Sequence, residues 1–447
     1  MEDVQIQFSN SQLRKLILPL VVEQFLAITV GLADSIMVAS VGEAAVSAVS
    51  LVDSVNTLIF YGFSALATGG AVVCGQFLGC RNPKKACDSA EQLLVFILAL
   101  SAGLTVILYG AKYFILHGLF GNIEADVMNY ANTYFIIVEA SVPFIALYNA
   151  GAALFRVMGN SAVSMKISIG MNIVNICGNA ILIFIVHMGV EGVAIPTLVS
   201  RILGAFVVVC LLRNPKYQLH ISRPFRYRFD GHTVKNILKV GVPSGIESSL
   251  FHLGKILLLS VVSAFGTASI AANAIGNSIA TFQILAPQAI GVGMITVVSQ
   301  CAGARDFDSA RFYTKKLMKW SYVSMLIVNI IIFLLLPLII YLYNVSDEAA
   351  RLAKLILILH GAVGLVLWPA SFTLPQALKA AGDTTFVMTI AVGSMWIFRI
   401  AAGILFARYW NMGVIGIWVA MFIDWFCRII FFVIRYRGHR WEQKYVK

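Results

Sequence analysis

The sequence "GQFLGCRNPKKA" (residues 75–86) recurs at an offset of 224 as "SQCAGARDFDSA" (residues 299–310). The same offset relates "LPLVVEQ" (residues 18–24) to "VPSGIES" (residues 242–248). Two further pairs repeat at offsets of 224 and 223: "GVEGVA" (189–194) with "GVIGIW" (413–418), and "FRVMGN" (155–160) with "LKAAGD" (378–383). Because chance does not hold one register over so many segments, the sequence predicts two duplicated halves.

The composition places both halves in a membrane. The chain has 447 residues, of which 59% are hydrophobic and 12% are charged, and its mean hydropathy is +0.85. Soluble domains carry about 25% charged residues. Apolar runs long enough for spans of about 20 residues occur twelve times along the chain. We therefore predict an all-α integral membrane protein with twelve transmembrane helices in two pseudo-symmetric six-helix bundles, arranged as parallel repeats.

Basic residues predict the boundaries and the orientation. The net charge is +12, and Lys and Arg concentrate in alternate loops and in the C-terminal tail. The opposite loops "VGEAAVSA" and "FGTASIAANA" contain none. By the positive-inside rule both termini are expected in the cytoplasm, in a multi-pass protein of the cell membrane, and no nucleic-acid partner is needed to explain the charge. The predicted domains are an N-terminal lobe (1–212), a basic cytoplasmic linker (213–235) and a C-terminal lobe (236–447).

Asp34 lies within the first apolar run, where a charged side chain is expensive and usually functional. Asn175 and Asn179 lie one turn apart on one face of the fifth predicted helix, and Thr197 lies in the sixth. Hard oxygen ligands of this kind suit a small alkali cation. We predict that these four residues bind Na⁺, or that Asp34 carries a proton. Hydrogen bonding between helices and a structural Asp34–Arg201 pair remain alternatives.

Other polar side chains in the apolar runs suggest a substrate cleft between the two lobes. Glu23 and Glu247 occupy equivalent repeat positions, and the alternative for both is an ion pair with a nearby Arg or Lys. Lys255 is expected to neutralise an acid, and Arg399 is expected to pair with Asp424. The complete predicted set of cleft residues is Glu247, Glu23, Glu139, Gln283 and Trp368.

The motifs together resemble the multidrug and toxic compound extrusion (MATE) family over essentially the whole chain. The segments that carry the resemblance are "GLADSIMVASVGEAAVSAVS", "GQFLGCRNPKKA", "FRVMGNS", "KVGVPSGIESSLF" and "QALKAAGDTTF". The resemblance implies twelve spans, export of cationic or amphipathic compounds in exchange for Na⁺ or H⁺, and a cation site in the N-terminal lobe. That site maps onto Asp34, Asn175, Asn179 and Thr197, with Asn149 as a further member.

The sequence departs from the family pattern at two places. Many relatives carry a second acid in the fifth helix, where this chain has Asn179, which leaves one acid in the predicted site. The tenth helix of this chain has no acid before Asp383. The position at which NorM-like relatives carry an acid in the seventh helix falls near Phe251 and not at Glu247. A cation site in the C-terminal lobe of the kind found in NorM-like members is therefore not expected.

These features predict a secondary active antiporter that exports amphipathic or cationic drugs or toxic metabolites by alternating access. No GxxxxGK[ST] phosphate loop is present, so an ion gradient is the expected energy source, without a further cofactor. We expect a monomer that binds small amphipathic cations and is not an enzyme. The alternative is a flippase for lipids or lipid-linked oligosaccharides with the same fold.

Overall fold

The computed structural model describes residues 7–119, 121, 123–222 and 227–445. In the N-terminal half the α-helices are α1 (Asn10–Val41), α2 (Glu43–Gly79), α3 (Pro83–Tyr113), α4 (Ala125–Glu139), α5 (Val142–Val157), α6 (Ser161–Ala180) and α7 (Glu191–Leu212). In the C-terminal half they are α8 (Gly231–Ser263), α9 (Thr267–Gly303), α10 (Phe307–Tyr343), α11 (Asp347–Trp368), α12 (Leu374–Ala380), α13 (Thr384–Ser394), α14 (Ala402–Ile404) and α15 (Gly413–Arg437).

Short π-helical segments continue several of these helices. They are Phe114–Leu119 after α3, Ile181–Ile185 after α6, Pro369–Thr373 before α12, and Met395–Ala401 and Leu405–Tyr409 on either side of α14. A 3₁₀ turn, Arg440–Gln443, follows α15. Because a π segment inserts about one extra residue into a helix, it changes the direction of the side chains beyond it.

Eleven helical stretches in the described part of the chain are long and apolar enough to cross a membrane. The number becomes twelve if α4 and α5, which meet at an angle of 44°, count as one broken span. This agrees with the twelve predicted helices, because the fourth apolar run covers both. The break occurs at Ala140 and Ser141, and Pro143 is the second residue of α5, which begins at Val142.

The chain forms two compact units. One is Asn10–Gly245, and the other runs from Ile246 to the end of the described chain and includes residues 7–9. In the first unit α2 packs against α3, α4 and α5, while α6 packs against α1 and α7. In the second unit α9 packs against α10 and α11, and α15 packs against α11. The units divide within α8, whereas the sequence predicted a linker at 213–235.

The described part of that predicted linker before α8, residues 213–222 and 227–230, has no helix of its own and is attached to the N-terminal end of α3. The carboxylate of Glu91 accepts hydrogen bonds from the backbone N–H of Ser222, at 2.7 Å, and from its hydroxyl group. The Gln92 Nε2 atom donates to the carbonyl of Arg228 at 2.6 Å, and the Tyr227 hydroxyl donates to Gln92 Oε1 at 2.9 Å. These bonds hold the described linker residues on the first unit.

The duplication extends to the backbone. Arg81 and Arg305, which are equivalent in the repeat, both have left-handed φ angles, 54° and 59°, which are uncommon for residues other than glycine. The next residue in each half caps a helix, since Asn82 accepts from the N–H of Lys85 and Asp306 from that of Ser309. The same turn therefore connects α2 to α3 and α9 to α10.

Candidate cation site

Three helices of the first unit bring the predicted cation ligands together. Asp34 lies on α1, Asn175 and Asn179 on α6, and Thr197 on α7. A close approach between α6 and α7 at Gly178 makes this possible. A Cβ atom on Gly178 would lie only 2.7 Å from Cβ of Pro196, so any larger residue would push the two helices apart. Pro196 immediately precedes Thr197, and the approach therefore brings Thr197 toward the two asparagines.

The four side chains form one hydrogen-bonded chain. Asn179 Nδ2 donates to Asp34 Oδ1 at 2.8 Å and lies 3.5 Å from Asn175 Oδ1. Asn175 Nδ2 donates to Thr197 Oγ1 at 3.0 Å, and Thr197 Oγ1 donates to the carbonyl of Val193 at 2.9 Å. The structure therefore brings together all four residues that the sequence selected.

The oxygen atoms of these four hydrogen-bonded side chains suit a small hard cation. Asn179 is fully buried, and its Oδ1 atom has no hydrogen-bond partner in the part of the chain that the structure describes. A buried acceptor without a partner carries a desolvation cost that a cation or a donor would remove. Together with the carboxylate of Asp34, the Asn175 amide and the Thr197 hydroxyl, it supplies the charge and the oxygen donors that Na⁺ prefers. Asn149 on α5 is also buried but forms no hydrogen bond with these residues.

A second carboxylate, which the sequence analysis missed, interacts with this site. Asp53 on α2 accepts a hydrogen bond from the Tyr134 hydroxyl at 3.2 Å and repels Asp34 electrostatically. Asp53 is therefore a second acid within electrostatic range of Asp34, on α2 and not on the fifth predicted helix, where the sequence has Asn179. The signal was present, because Asp53 lies inside the second apolar run, as Asp34 does inside the first.

Arg201 on α7 is the basic residue of this region, but it forms no ion pair with Asp34 among the residues that the structure describes. Its Nη1 atom donates to the hydroxyl of Ser141 at 2.6 Å. Asp34, Asp53 and Glu139 are all within electrostatic range of its guanidinium. The alternative of a direct Asp34–Arg201 pair is therefore not realised, and Arg201 acts on three acids at longer range.

Glu139, predicted to line a substrate cleft, is fully buried inside the first unit. Neither of its carboxylate oxygens has a hydrogen-bond partner among the described residues. Its backbone carbonyl accepts a long bond, 3.4 Å, from the hydroxyl of Thr105. In this conformation the side chain has no access to a ligand outside the unit.

The two repeat-related glutamates are both ion-paired. Glu23 pairs with Arg156 at 2.7 Å and accepts a hydrogen bond from Ser164. Glu247 pairs with Lys379 at 2.8 Å. Arg156 and Lys379 occupy corresponding positions in the repeated segments "FRVMGN" and "LKAAGD". The duplication thus includes an ion pair, which corresponds to the structural alternative for both glutamates.

The remaining predicted cleft residues are buried in the second unit. Gln283 has no exposed surface, and its Oε1 atom lies 2.5 Å from Nδ1 of His360. Trp368 stacks on Phe372 with 5.1 Å between the ring centroids. Both side chains pack within the helical bundle in this conformation.

Two predicted charge pairs are corrected by the geometry. Asp424 pairs with Arg428, one turn further along α15, at 2.8 Å, and not with Arg399. The i,i+4 spacing on one helix makes that partner the nearer one. Lys255 neutralises no acid among the described residues, since Glu247 is paired with Lys379. Its ammonium group instead lies 5.7 Å from the ring centroid of Phe251.

Comparison with known families agrees with the repeat. The MatE family model matches the chain twice, at residues 19–181 and 243–405, so that both ends of the two matches are related by the repeat offset. The chain belongs to the MatE family. Members of this family are transporters and not enzymes, and the chain is accordingly a multi-pass membrane protein with two repeated halves.

MatE relatives of similar length occur in bacteria. The chain is 27% identical over 436 residues to the uncharacterized transporter YisQ of Bacillus subtilis (strain 168), covering 95% of this chain and 94% of YisQ. It is 25% identical over 444 residues to the probable multidrug resistance protein NorM of Thermotoga maritima, covering 98% and 94%.

Solved MatE structures share the fold. One is the outward-facing conformation of a multidrug resistance MATE family transporter, with a TM-score of 0.89, 20% identity and coverage of 98% of both chains. Another is a MATE protein in the bent conformation, with a TM-score of 0.88, 20% identity and coverage of 96% of this chain and 95% of the other.

Proposed function

We propose that this protein is a secondary active antiporter, in which entry of Na⁺ or H⁺ at Asp34 drives export of small amphipathic molecules. One observation carries the proposal. Asp34 is joined to Asn179, Asn175 and Thr197 in a single chain of oxygen-bearing groups on three helices of one unit.

The coupling follows from the cost of charge in a membrane. An ionised carboxylate inside a span is unfavourable, and a bound Na⁺ or H⁺ removes its net charge. A ligand shifts a conformational equilibrium only when it binds one state better than another. A site made from side chains on α1, α6 and α7 meets this requirement, because movement of any of these helices would change the set of ligands.

The cargo that we propose is an amphipathic small molecule, in keeping with relatives that are named probable multidrug resistance proteins. We also propose that the protein is a monomer in the cell membrane and that both of its termini lie on the cytoplasmic side. The sequence-based argument that Glu23 and Glu247 attract a cationic cargo has little support, because Arg156 and Lys379 neutralise them.

A flippase for an anionic amphipath is the second candidate. It is favoured by an excess of basic side chains in one cluster of the second unit. In that cluster the carboxylate of Asp424 faces three cationic side chains, which are Lys255, Arg399 and Arg428.

The test is transport by the purified protein in proteoliposomes, with a sodium gradient and a proton gradient imposed separately. Asp34→Asn should abolish gradient-driven efflux and leave expression and monodispersity unchanged. The control is Asp126→Asn, because Asp126 is an exposed acid in the first turn of α4 and should not contribute to coupling. Full gradient-driven efflux by Asp34→Asn would refute the proposal.

A further inference from the structure

Three cationic side chains converge on one aromatic ring in the second unit. The ring centroid of Phe251 lies 5.7 Å from Lys255 Nζ, 5.1 Å from Arg399 Cζ and 5.8 Å from Arg428 Cζ. Phe251 also packs edge-on against Phe372, with 6.1 Å between centroids, and Phe372 stacks on Trp368. Basic groups and flat aromatic groups therefore form one continuous cluster.

The positive charge of this cluster is not balanced within the described residues. The acid that the structure describes in this cluster is Asp424, and its carboxylate already accepts a hydrogen bond from Arg428. Arg399 is 7% exposed and forms no hydrogen bond or ion pair with any described residue, and its Nε atom is buried without a partner. Arg428 is only 2% exposed, and its Nη2 atom also has no hydrogen-bond partner among the residues described. The other titratable neighbours are His252, beside Lys255, and His360, which is within range of Arg399.

These cations are not needed to build the fold. The repeat offset of 224 places Lys255 opposite Gly31, Arg428 opposite Gly204 and Phe251 opposite Ala27 in the first half. The first unit forms the same kind of bundle with two glycines and an alanine at those positions. Arg399 lies where the offset changes from 223 to 224, so its counterpart in the first half is Ile176 or Asn175.

The π segment Met395–Ala401, which contains Arg399, accounts for the local change of register. The offset is 223 at "LKAAGD" and 224 at "GVIGIW", so the second half gains one residue between them. Two π segments, Ile181–Ile185 and Leu405–Tyr409, begin at equivalent repeat positions, whereas Met395–Ala401 has no π counterpart in the described first half. Single-residue insertions of this kind frequently mark functional sites.

We propose that the cluster of Lys255, Arg399, Arg428 and Phe251 binds the anionic group of an aromatic amphipathic molecule, with Phe251 and Phe372 against its flat body. Unpaired guanidinium N–H groups are donors suited to a carboxylate, sulfonate or phosphate. Attraction to one aromatic ring is weaker than the cost of removing a guanidinium group from water, so a bound anion supplies the missing compensation. Lys255 is exposed and Phe251 is partly exposed, so a ligand reaches the cluster from their side.

The inference rests on the proposed function only in treating this anion as the cargo. The duplicated units then differ in polarity. Around Arg201 in the first unit, one base faces three acids, Asp34, Asp53 and Glu139. Around Phe251 in the second unit, the three basic side chains of the cluster face one acid, Asp424, among the described residues. One unit is suited to the coupling cation and the other to an anionic substrate.

The test is equilibrium binding to the full chain in nanodiscs of a zwitterionic lipid. The probes are naphthalenesulfonate, the neutral naphthalenesulfonamide and the cationic naphthylmethylammonium. Lys255→Gln and Arg399→Gln should each raise the Kd for the sulfonate about tenfold and change the Kd for the sulfonamide less than twofold. Arg399→Lys should restore much of the sulfonate binding. Lys354→Gln, at an exposed lysine of α11, is the matched control.

Three results would overturn the inference. They are an equal loss of sulfonate and sulfonamide binding, an unchanged Kd in both glutamine variants, and displacement of the sulfonate by phosphatidylglycerol, which would assign the cluster to a lipid headgroup. Because Lys255 is exposed, its variant still gives an answer if Arg399→Gln fails to fold. The measurement needs no gradient, so sulfonate binding is read separately from gradient-driven transport, and loss of transport in Asp34→Asn tests the proposed function alone.

Discussion

At the scale of single residues, the buried charges divide into those that are satisfied within the chain and those that are not. Glu23 and Glu247 have direct basic partners at 2.7 and 2.8 Å. Asp34 has only an amide donor, and Arg399 has no polar partner among the described residues. A buried charge without an internal partner is costly, and in a transporter it is the natural place for a ligand. Asp34 and Glu139, which have no ion-pair partner among the described residues, lie in the first unit, and Arg399 lies in the second.

The Glu23–Arg156 pair leads to a prediction about stability. Glu23→Gln leaves Arg156 without its carboxylate, and removal of one partner from a buried pair costs about 3 kcal/mol. The apparent melting temperature in detergent should fall clearly in Glu23→Gln and in Arg156→Gln. The double variant should melt no lower than the worse single variant, because neither charge is then left without the other.

The repeat provides a matched control for this prediction. Glu247→Gln and Lys379→Gln remove the equivalent pair from the second unit and should show the same non-additivity. Strictly additive effects in both units would mean that the pairs contribute no coupling energy.

At the scale of elements, the separation of α6 and α7 decides whether the cation ligands meet. Without a hydrophobic driving force between helices in lipid, close packing depends on small residues at the contact. Gly178 is the contact residue, and it lies between Asn175 and Asn179 on α6 and faces Pro196 of α7. The same glycine therefore sets both the helix packing and the Asn175–Thr197 hydrogen bond.

Gly178→Ala should damage the site through packing. The new methyl group would lie 2.7 Å from Cβ and 2.9 Å from Cγ of the rigid Pro196 ring, and such overpacking costs about 1–3 kcal/mol. We expect a several-fold rise in the concentration of coupling ion that gives half-maximal transport, together with a lower melting temperature.

Gly170→Ala is the control, because Gly170 is on the same helix with no atom within 4 Å of an added Cβ. There the gain in helix propensity should leave stability unchanged or higher. If Gly178→Ala behaves like Gly170→Ala, the close approach of α6 and α7 does not control the site.

At the scale of the whole molecule, gene duplication supplied two bundles that share a backbone plan but differ in charge. The turn after α2 recurs after α9 with the same left-handed arginine and the same capping geometry. The polar interior diverged, since Gly31 corresponds to Lys255 and Gly204 to Arg428. The linker between the halves was retained as part of the first unit through Glu91 and Gln92.

Removal of these linker contacts should expose the connection to protease. In the variant Glu91→Ala/Gln92→Ala, the linker loses its hydrogen bonds to α3, and local opening should become more frequent. Limited trypsin digestion should then cut at Arg213, Lys216 or Arg228 several-fold faster and give two fragments of about half the mass. Asp88→Ala, at an exposed residue one turn earlier on α3, should be cut at the parental rate. Equal rates in all three proteins would show that these bonds do not restrain the linker.

The sequence by itself determined the membrane class, the helix count, the twofold repeat and the choice of four candidate cation ligands. These follow from apolar run length, from the spacing of identical residues and from the cost of a polar group in a span, all of which are properties of the chain in one dimension. Tertiary structure decided which charges have partners. Asp53 lies within electrostatic range of Asp34, Glu247 pairs with Lys379 and not with Lys255, and Asp424 pairs with Arg428 and not with Arg399. The physical reason is that an ion pair depends on distances of a few ångströms between side chains on different helices. Those distances are set by helix rotation, by π segments and by contacts such as Gly178 against Pro196.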